Sequence, residues 1–337
     1  MNGRSLVSLP LALPLLATTL PAPLDEIHFQ PREALVLTKS FSMTTERERS
    51  TSSERSDSTS TSSSERSLVV TDRVVAHEDE RVTKLERTFD EVSAETESTH
   101  DSGGRTRDLS SSADSELSGE TVVFVWDEDE EEYLVESDDV DDDLLENLKY
   151  DYDFVALLPG EDVDEGDEWE IEIEDFEAMM NPWNALPLEW ESSDGEVVEA
   201  SADRERSEPE IDESKDGEIT ARYAGTREVD GVTYAVIEIE GEIETERTVD
   251  SSREDEQISS TSHQEISETR TIEGEALWHV EGGHLHSLEI AFDLSGSEMR
   301  ESTTRFRDQE FNNESETDVS GTTTFRVAFA VPEEDDE

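Results

Sequence analysis

The run ITARYAGTREVDGVTYAVIEIEGEIETE, residues 219–246, alternates apolar and polar side chains on both sides of Asp230-Gly231. Alternation with a period of two marks a strand with one buried and one wet face. Asp-Gly most often closes a two-residue hairpin loop. A three-residue loop ending in Gly231 fits the faces better. It pairs Arg222 with Glu238, Tyr223 with Ile237 and Ala221 with Ile239. Opposite charges then meet on one face and apolar groups on the other.

The same pattern recurs outward along the chain. Thr269–Val280 and His284–Phe292 form a second hairpin. A loop at Glu281–Gly283 pairs Ala276 with Leu288 and Ile272 with Phe292. Phe325, Val327, Phe329 and Val331 give a last strand within Thr322–Val331. Upstream, Leu35, Leu37, Phe41 and Met43 share one parity, with Lys39 interrupting, within a strand over Ile27–Met43. Leu68–Val75, Val82–Val92, Val122–Trp126 and Tyr133–Val135 continue the series. Trp169, Ile171 and Ile173 alternate with glutamates as a further strand. Phe176–Trp190, broken by Pro182 and Pro187, reads as an irregular cover for one end of the core. One helix is predicted over about 139–150, and its spacing allows it to reach Leu157. Ser137, Asp138 and Asp139 supply its cap and first-turn acids, and Val140, Leu144, Leu145 and Leu148 its apolar stripe. Successive hairpins without a βαβ pattern imply a mainly β, α+β fold. A meandering, curled antiparallel sheet packs on that helix, with long polar loops.

The chain has 337 residues, with 91 Asp or Glu against 26 Lys or Arg and a formal net charge of -65. Such a charge repels phosphate backbones and anionic membrane surfaces, so neither a nucleic acid nor a membrane surface is an expected partner. Cations, a cationic partner or a salty medium suit it. Leu, Ile, Val and Phe make up about 22% of the chain, just above the ~20% below which high charge signals disorder. Four Lys against 22 Arg favours a bidentate donor for a surface crowded with carboxylates. There is no cysteine, which removes disulfides and thiolate chemistry.

Met1–Leu24 reads as a signal peptide, with Arg4 before an apolar run that is short and broken by Pro10 and Pro14. No second apolar run is long enough to span a membrane. The expected organisation is a signal peptide at 1–24, a single β-rich domain at 25–331 and an acidic tail at 332–337. Polar linkers fall near 50–67, 100–119, 201–215 and 248–267. The first is either a loop or the solvated end of a long hairpin. The expected location is extracytoplasmic, periplasmic or secreted.

Three sets of residues are candidates for chemistry. In a two-residue turn, His279, Glu281, His284 and His286 would project together as a zinc site. The three-residue register instead turns His279 away from His284 and His286. Acidic runs at 127–132, 138–143 and 161–167 resemble calcium ligands, but none has the EF-hand order of oxygens and glycine. No cofactor is expected beyond weak calcium or zinc association. Trp126, Trp169, Trp183, Trp190 and Trp278 are available to line an apolar pocket between sheet and helix, or simply to fill the core. Motifs of serine hydrolases, P-loops, zinc proteases and dinucleotide folds are missing from the sequence.

Leu157-Leu158-Pro159, Val163, Gly166-Asp167 and Trp169 together resemble a segment of uncharacterised exported bacterial β-sheet proteins. In these, an LLP stretch closes a helix and a G-D-x-W turn opens a strand. The likeness covers roughly residues 140–295 and implies an extracytoplasmic β-rich domain. In architecture only, the chain is also similar to periplasmic lipoprotein-carrier folds, from which it departs by lacking any cysteine. The function expected is a non-enzymatic exported cell-envelope protein, binding or structural. The alternatives are a carrier of an apolar or lipid ligand in a cup between sheet and helix, and a cation-dependent hydrolase.

Overall fold

In the computed structural model of the protein, the described residues are 32–53, 57–78, 81–137, 139–145, 148–150, 152–183, 186–192, 210–254, 258–306 and 309–332. The proposed signal peptide and most of the 201–215 stretch lie outside them. Among the described residues, thirteen strands make one unclosed antiparallel sheet. In chain order, β1 is Val36–Ser53, β2 Asp57–Glu78, β3 Arg81–Ser102, β4 Arg105–Asp114, β5 Thr121–Asp127 and β6 Glu132–Glu136. After the connecting segment come β9 Glu210–Val229, β10 Val232–Glu254, β11 Ile258–His279, β12 His284–Phe306 and β13 Gln309–Ala330, with short β7 Glu168–Glu170 and β8 Glu189–Ser192 between. The order across the sheet is β6-β5-β3-β2-β1-β13-β12-β11-β10-β9-β7. β1 and β13 therefore join the two meanders at the centre. β4 pairs with β3 further along, and β8 pairs with β4.

The expected pairs hold in both hairpins. Arg222 faces Glu238, Tyr223 faces Ile237 and Ala221 faces Ile239, while Ala276 faces Leu288 and Ile272 faces Phe292. The loops differ from expectation. Asp230-Gly231 is a two-residue turn with φ of 52° and 81°. Ala224 and Gly225 then bulge opposite Val236 and shift the register by one. Gly225 suits this bulge, because its φ of 98° strains any residue with a side chain. In the second hairpin the bulged residue is His286, so Trp278 meets Leu285 and His279 meets His284.

The polar stretches at 50–67 and 248–267 are not loops among the described residues. They are the far ends of long hairpins, and 100–119 contributes the end of β3 and all of β4. A 22-residue strand such as β2 extends about 75 Å at ~3.4 Å per residue. Each long strand is apolar on one face at one end and mostly polar on both faces at the other. We call these the proximal and distal halves, and the core-bearing side the inner face. Distal pairing is supported by side chains as well as the backbone. Thr45 bonds Thr323 at 3.1 Å and Thr51 bonds Thr317 at 3.0 Å. Hydroxyl pairs and β-branching hold such strands without a core.

The proximal inner face carries Phe41, Leu68, Phe89, Ile237, Trp278, Ile290 and Phe325, all at most 1% exposed. The described residues between 140 and 188 cover it. The helix expected over 139–150 is a single turn, α1 Asp142–Leu145. At 148–150 the chain runs without helix, and there the Lys149 and Tyr150 carbonyls accept from Arg87. The strand expected through Ile173 also stops early, at Glu170. Ile173 begins a second helix, α2 Ile173–Met179, which buries Phe176. Ile173, Phe176 and Met180 fit a helical stripe as well as Trp169, Ile171 and Ile173 fit a strand, so short apolar spacing alone left the choice open.

Candidate functional site

The histidine hairpin is built by the bulge at His286. It brings His279 and His284 together with ring centroids 5.1 Å apart and planes 8° apart, contrary to the orientation expected from the three-residue loop. Tyr234 stacks on His286 at 4.4 Å and meets His279 edge-on. Gly282 N donates to His279 Nδ1 at 2.5 Å, which leaves the proton on its Nε2. His284 Nδ1 donates to Leu285 O at 2.7 Å. Burial pushes His284 and His286 below the ordinary histidine range, and the neighbouring His279 lowers both further. Neutral rings can stack; charged ones would repel. Glu281 is exposed, and its carbonyl accepts from Arg32. Among the described residues, no three His, Asp or Glu side chains converge as a metal-ligand set. Some acids expected as cation ligands instead brace turns. Asp127 Oδ1 accepts from the Asp129 and Glu130 amides, and Asp167 Oδ2 from the Asp164 amide.

The five tryptophans do not share a cavity. Trp278 and Trp183 are core, 0% and 2% exposed. Trp183 meets Phe325 edge-on at 6.0 Å. Trp126 sits in the β5–β6 hairpin with Tyr133 and the Arg81 guanidinium. Trp169 donates to Leu157 O at 3.1 Å, and Trp190 lies on β8 opposite Ala113. Between sheet and cover, Phe41 packs on Tyr152 and Phe154, and Phe154 on Phe325 and Phe329. A cavity of about 110 Å³ lies at the cover beside Tyr152, Phe154 and Met179. That is well below the ~300 Å³ at which ligand pockets begin.

A buried ionic cluster was not foreseen as a unit. Lys39, Asp72, Arg87 and Asp153 are 1%, 3%, 0% and 8% exposed within the apolar face. Arg87 grips Asp72 through Nε at 2.6 Å and Nη2 at 2.8 Å. Its Nη1 reaches Lys149 O and its Nη2 also reaches Tyr150 O. Lys39 Nζ lies 2.8 Å from Asp72 and 2.5 Å from Asp153. The guanidinium also stacks over Tyr152. Burial pushes the Asp72 carboxyl up, but Arg87 and Lys39 outweigh it and hold it at about 2. Burial pulls Lys39 down, yet Asp153 and Asp72 leave it above its usual value. The cluster thus fastens the cover to β1, β2 and β3. The sequence signal was there three times. Lys39 stands between Leu37 and Phe41, Asp72 between Val70 and Val74, and Arg87 between Leu85 and Phe89, each at an apolar position of its strand.

One accessible surface belongs to the distal half. A groove of about 1020 Å³ crosses its outer face over β4, β3, β2, β1, β13 and β12. Glu46, Glu48, Glu97, Asp108 and Asp293 line it, with hydroxyls such as Thr61 and Thr322 between them. A second groove of about 940 Å³ lies on the proximal outer face among Glu238, Glu240, Glu273 and Glu275. There Glu238 faces Glu275 and Glu240 faces Glu273, a repulsive arrangement. Arg222 relieves it at Glu238, and Arg227 at Glu275 with bonds of 2.6 and 2.8 Å.

No family model matches this chain, and no curated protein matches it. Among solved structures, OccK11 (OpdR) of Pseudomonas aeruginosa aligns with 90% of this chain and 99% of its own, at 8% identity and a TM-score of 0.11. A score that low carries no structural argument. No helix among the described residues is long and apolar enough to cross a membrane.

Proposed function

We propose that the chain is a non-enzymatic exported protein of the cell envelope that acts by binding or as a structural element. The observation that supports this is the distal half of the sheet. Its strands run far past their core and present ordered rows of Ser, Thr, Glu and Arg on both faces. Ordering that much chain costs roughly 1–2 kcal/mol per residue of backbone entropy and gains little burial in return. An extended polar sheet of this kind serves as a contact surface. Its outer groove, lined by carboxylates and hydroxyls, suits cations or a cationic partner.

The test is cell fractionation of the full chain in its native host, with mass spectrometry of the recovered protein. The expected product lies outside the cytoplasm and begins near residue 25. Recovery of a cytoplasmic chain that still begins at Met1 would contradict export.

A further inference from the structure

The strand registers segregate charge across the distal sheet. Glu46, Glu48, Glu65, Glu97, Asp293 and Asp318 fall on the outer face. Arg47 and Arg49 alternate with Glu46 and Glu48, so they fall on the inner face. The same register places Arg66, Arg107, Arg247 and Arg300 there too. Among the described residues, the strands contribute only Glu213, Glu268 and Glu298 as acids to the distal inner face. One side of an extremely acidic protein is therefore locally basic.

These cations are poorly compensated. Arg49 lies 3.7 Å from Glu298, and Arg247 only comes within 4.0 Å of Glu213. Arg300 donates to a serine hydroxyl, Ser262, at 3.0 Å. Arg47 and Arg66 have no carboxylate partner among the described residues, and the buried Nε atoms of Arg47, Arg66 and Arg247 have no hydrogen-bond acceptor. An arginine without a carboxylate partner can take one from a ligand through the Nη edge of its guanidinium fork. Around these arginines the same face carries Ser58, Ser60, Ser62 and Ser64 of β2 beside Thr96 and Ser98 of β3. Guanidinium forks with rows of hydroxyls match carboxylates set along a polyhydroxylated chain.

From this charge complementarity we propose that the distal inner face binds an acidic polysaccharide bearing uronate carboxylates. This rests on the reading of the chain as an exported binding protein. The net charge does not forbid it. At physiological ionic strength the Debye length is about 8 Å, so the arginines within that distance set the local potential rather than the distant acids. The arrangement also argues against a nucleic acid, because the face offers arginines and hydroxyls rather than a row of aromatic platforms for base stacking.

The experiment titrates the full chain by calorimetry at about 0.15 M salt with oligogalacturonate, neutral dextran and single-stranded DNA. Oligogalacturonate is expected to bind, with dextran and DNA giving no signal. In the triple variant R47E/R49E/R66E binding is expected to fall by at least about tenfold. Arg73→Glu, which changes the outer-face partner of Glu86, is expected to leave it unchanged. Should the triple variant fail to fold, Arg49→Gln, whose side chain is 45% exposed, reads the same loss on a smaller scale. Absence of oligogalacturonate binding, equal binding of dextran or DNA, or undiminished binding by the folded arginine variants would overturn the proposal. A chain shown to be exported but blind to oligogalacturonate loses this inference and keeps the broader one. A cytoplasmic chain that binds it does the reverse.

Discussion

Arg87→Met is expected to destabilise the protein by about 3–5 kcal/mol, the range for removing one partner of a buried ion pair. Met fills much of the volume, so the loss is electrostatic and not a cavity. Asp72 would keep Lys39 but lose both bonds from Arg87, and the Lys149 and Tyr150 carbonyls would lose their donor. The cover would loosen at 148–154 before the sheet does. Urea unfolding monitored by fluorescence measures the loss, and a change below about 1 kcal/mol would show that the cluster is not the fastening. The charge also sets an acid limit. Asp72 is held at about 2 when folded, against an ordinary value of 3.8. A depressed carboxylate stabilises the fold fully above its unfolded value, and that contribution is lost as pH falls through about 2. Lys39, held above 10.5, contributes fully below that value and loses its share as pH rises past its folded one. Asp72 and Lys39 are therefore both charged across the neutral range. In Asp72→Asn, the part of the acid transition between about pH 4 and 2 that Asp72 supplies should vanish.

Trp278→Ala is expected to cost about 3–5 kcal/mol, the range for truncating a large buried aromatic. Trp278 is 0% exposed and lies on β11 between Ala235 and Leu285. The proximal half supplies the core for strands that continue into the distal half. Losing it should lower the stability of both halves in a single transition. Phe311→Ala makes the contrast. That ring is 46% exposed on distal β13, and its removal should cost no more than about 0.5 kcal/mol. Thermal melts followed by circular dichroism separate the two. A Trp278→Ala protein that melts like the parent, or that loses only its proximal half, would contradict a shared core.

The sheet was legible where one face is apolar and the other charged. The pairings of Tyr223 with Ile237 and of Ala276 with Leu288 follow from alternation alone, because a slip of one residue would expose every apolar side chain. The bulges at Ala224–Gly225 and His286 were not legible. Each lets the favoured turn and the favoured face coexist by adding one residue, and nothing in a two-residue period marks where it goes. The distal strands were hidden for a different reason. Ser58–Ser64 and Thr96–Ser98 have no apolar face to announce them. Their partners lie on neighbouring strands, and only the register continuing from the proximal half aligns them. The cover was obscured by tertiary contacts. Arg87 ties the carbonyls of Lys149 and Tyr150 to the sheet, and 148–150 is not helical although its apolar spacing suits a helix. The histidine cluster is visible in the sequence, but its stacking depends on the bulge. The arginines of the distal face stood in plain view as Glu-Arg-Glu-Arg at 46–49, and what they could do became visible only once the faces were assigned.

The central claim is that the Ser-, Thr-, Glu- and Arg-rich stretches are strands of one continuous sheet. Amide hydrogen exchange read by mass spectrometry tests it directly, since hydrogen-bonded strands exchange more slowly than open chain. The account predicts clear protection over residues 44–53, 58–67, 259–271 and 309–322, weaker than in 235–243 or 285–292 but well above an unstructured peptide of the same sequence. Exchange of those four stretches at unstructured rates, with protection confined to the proximal core, would contradict it.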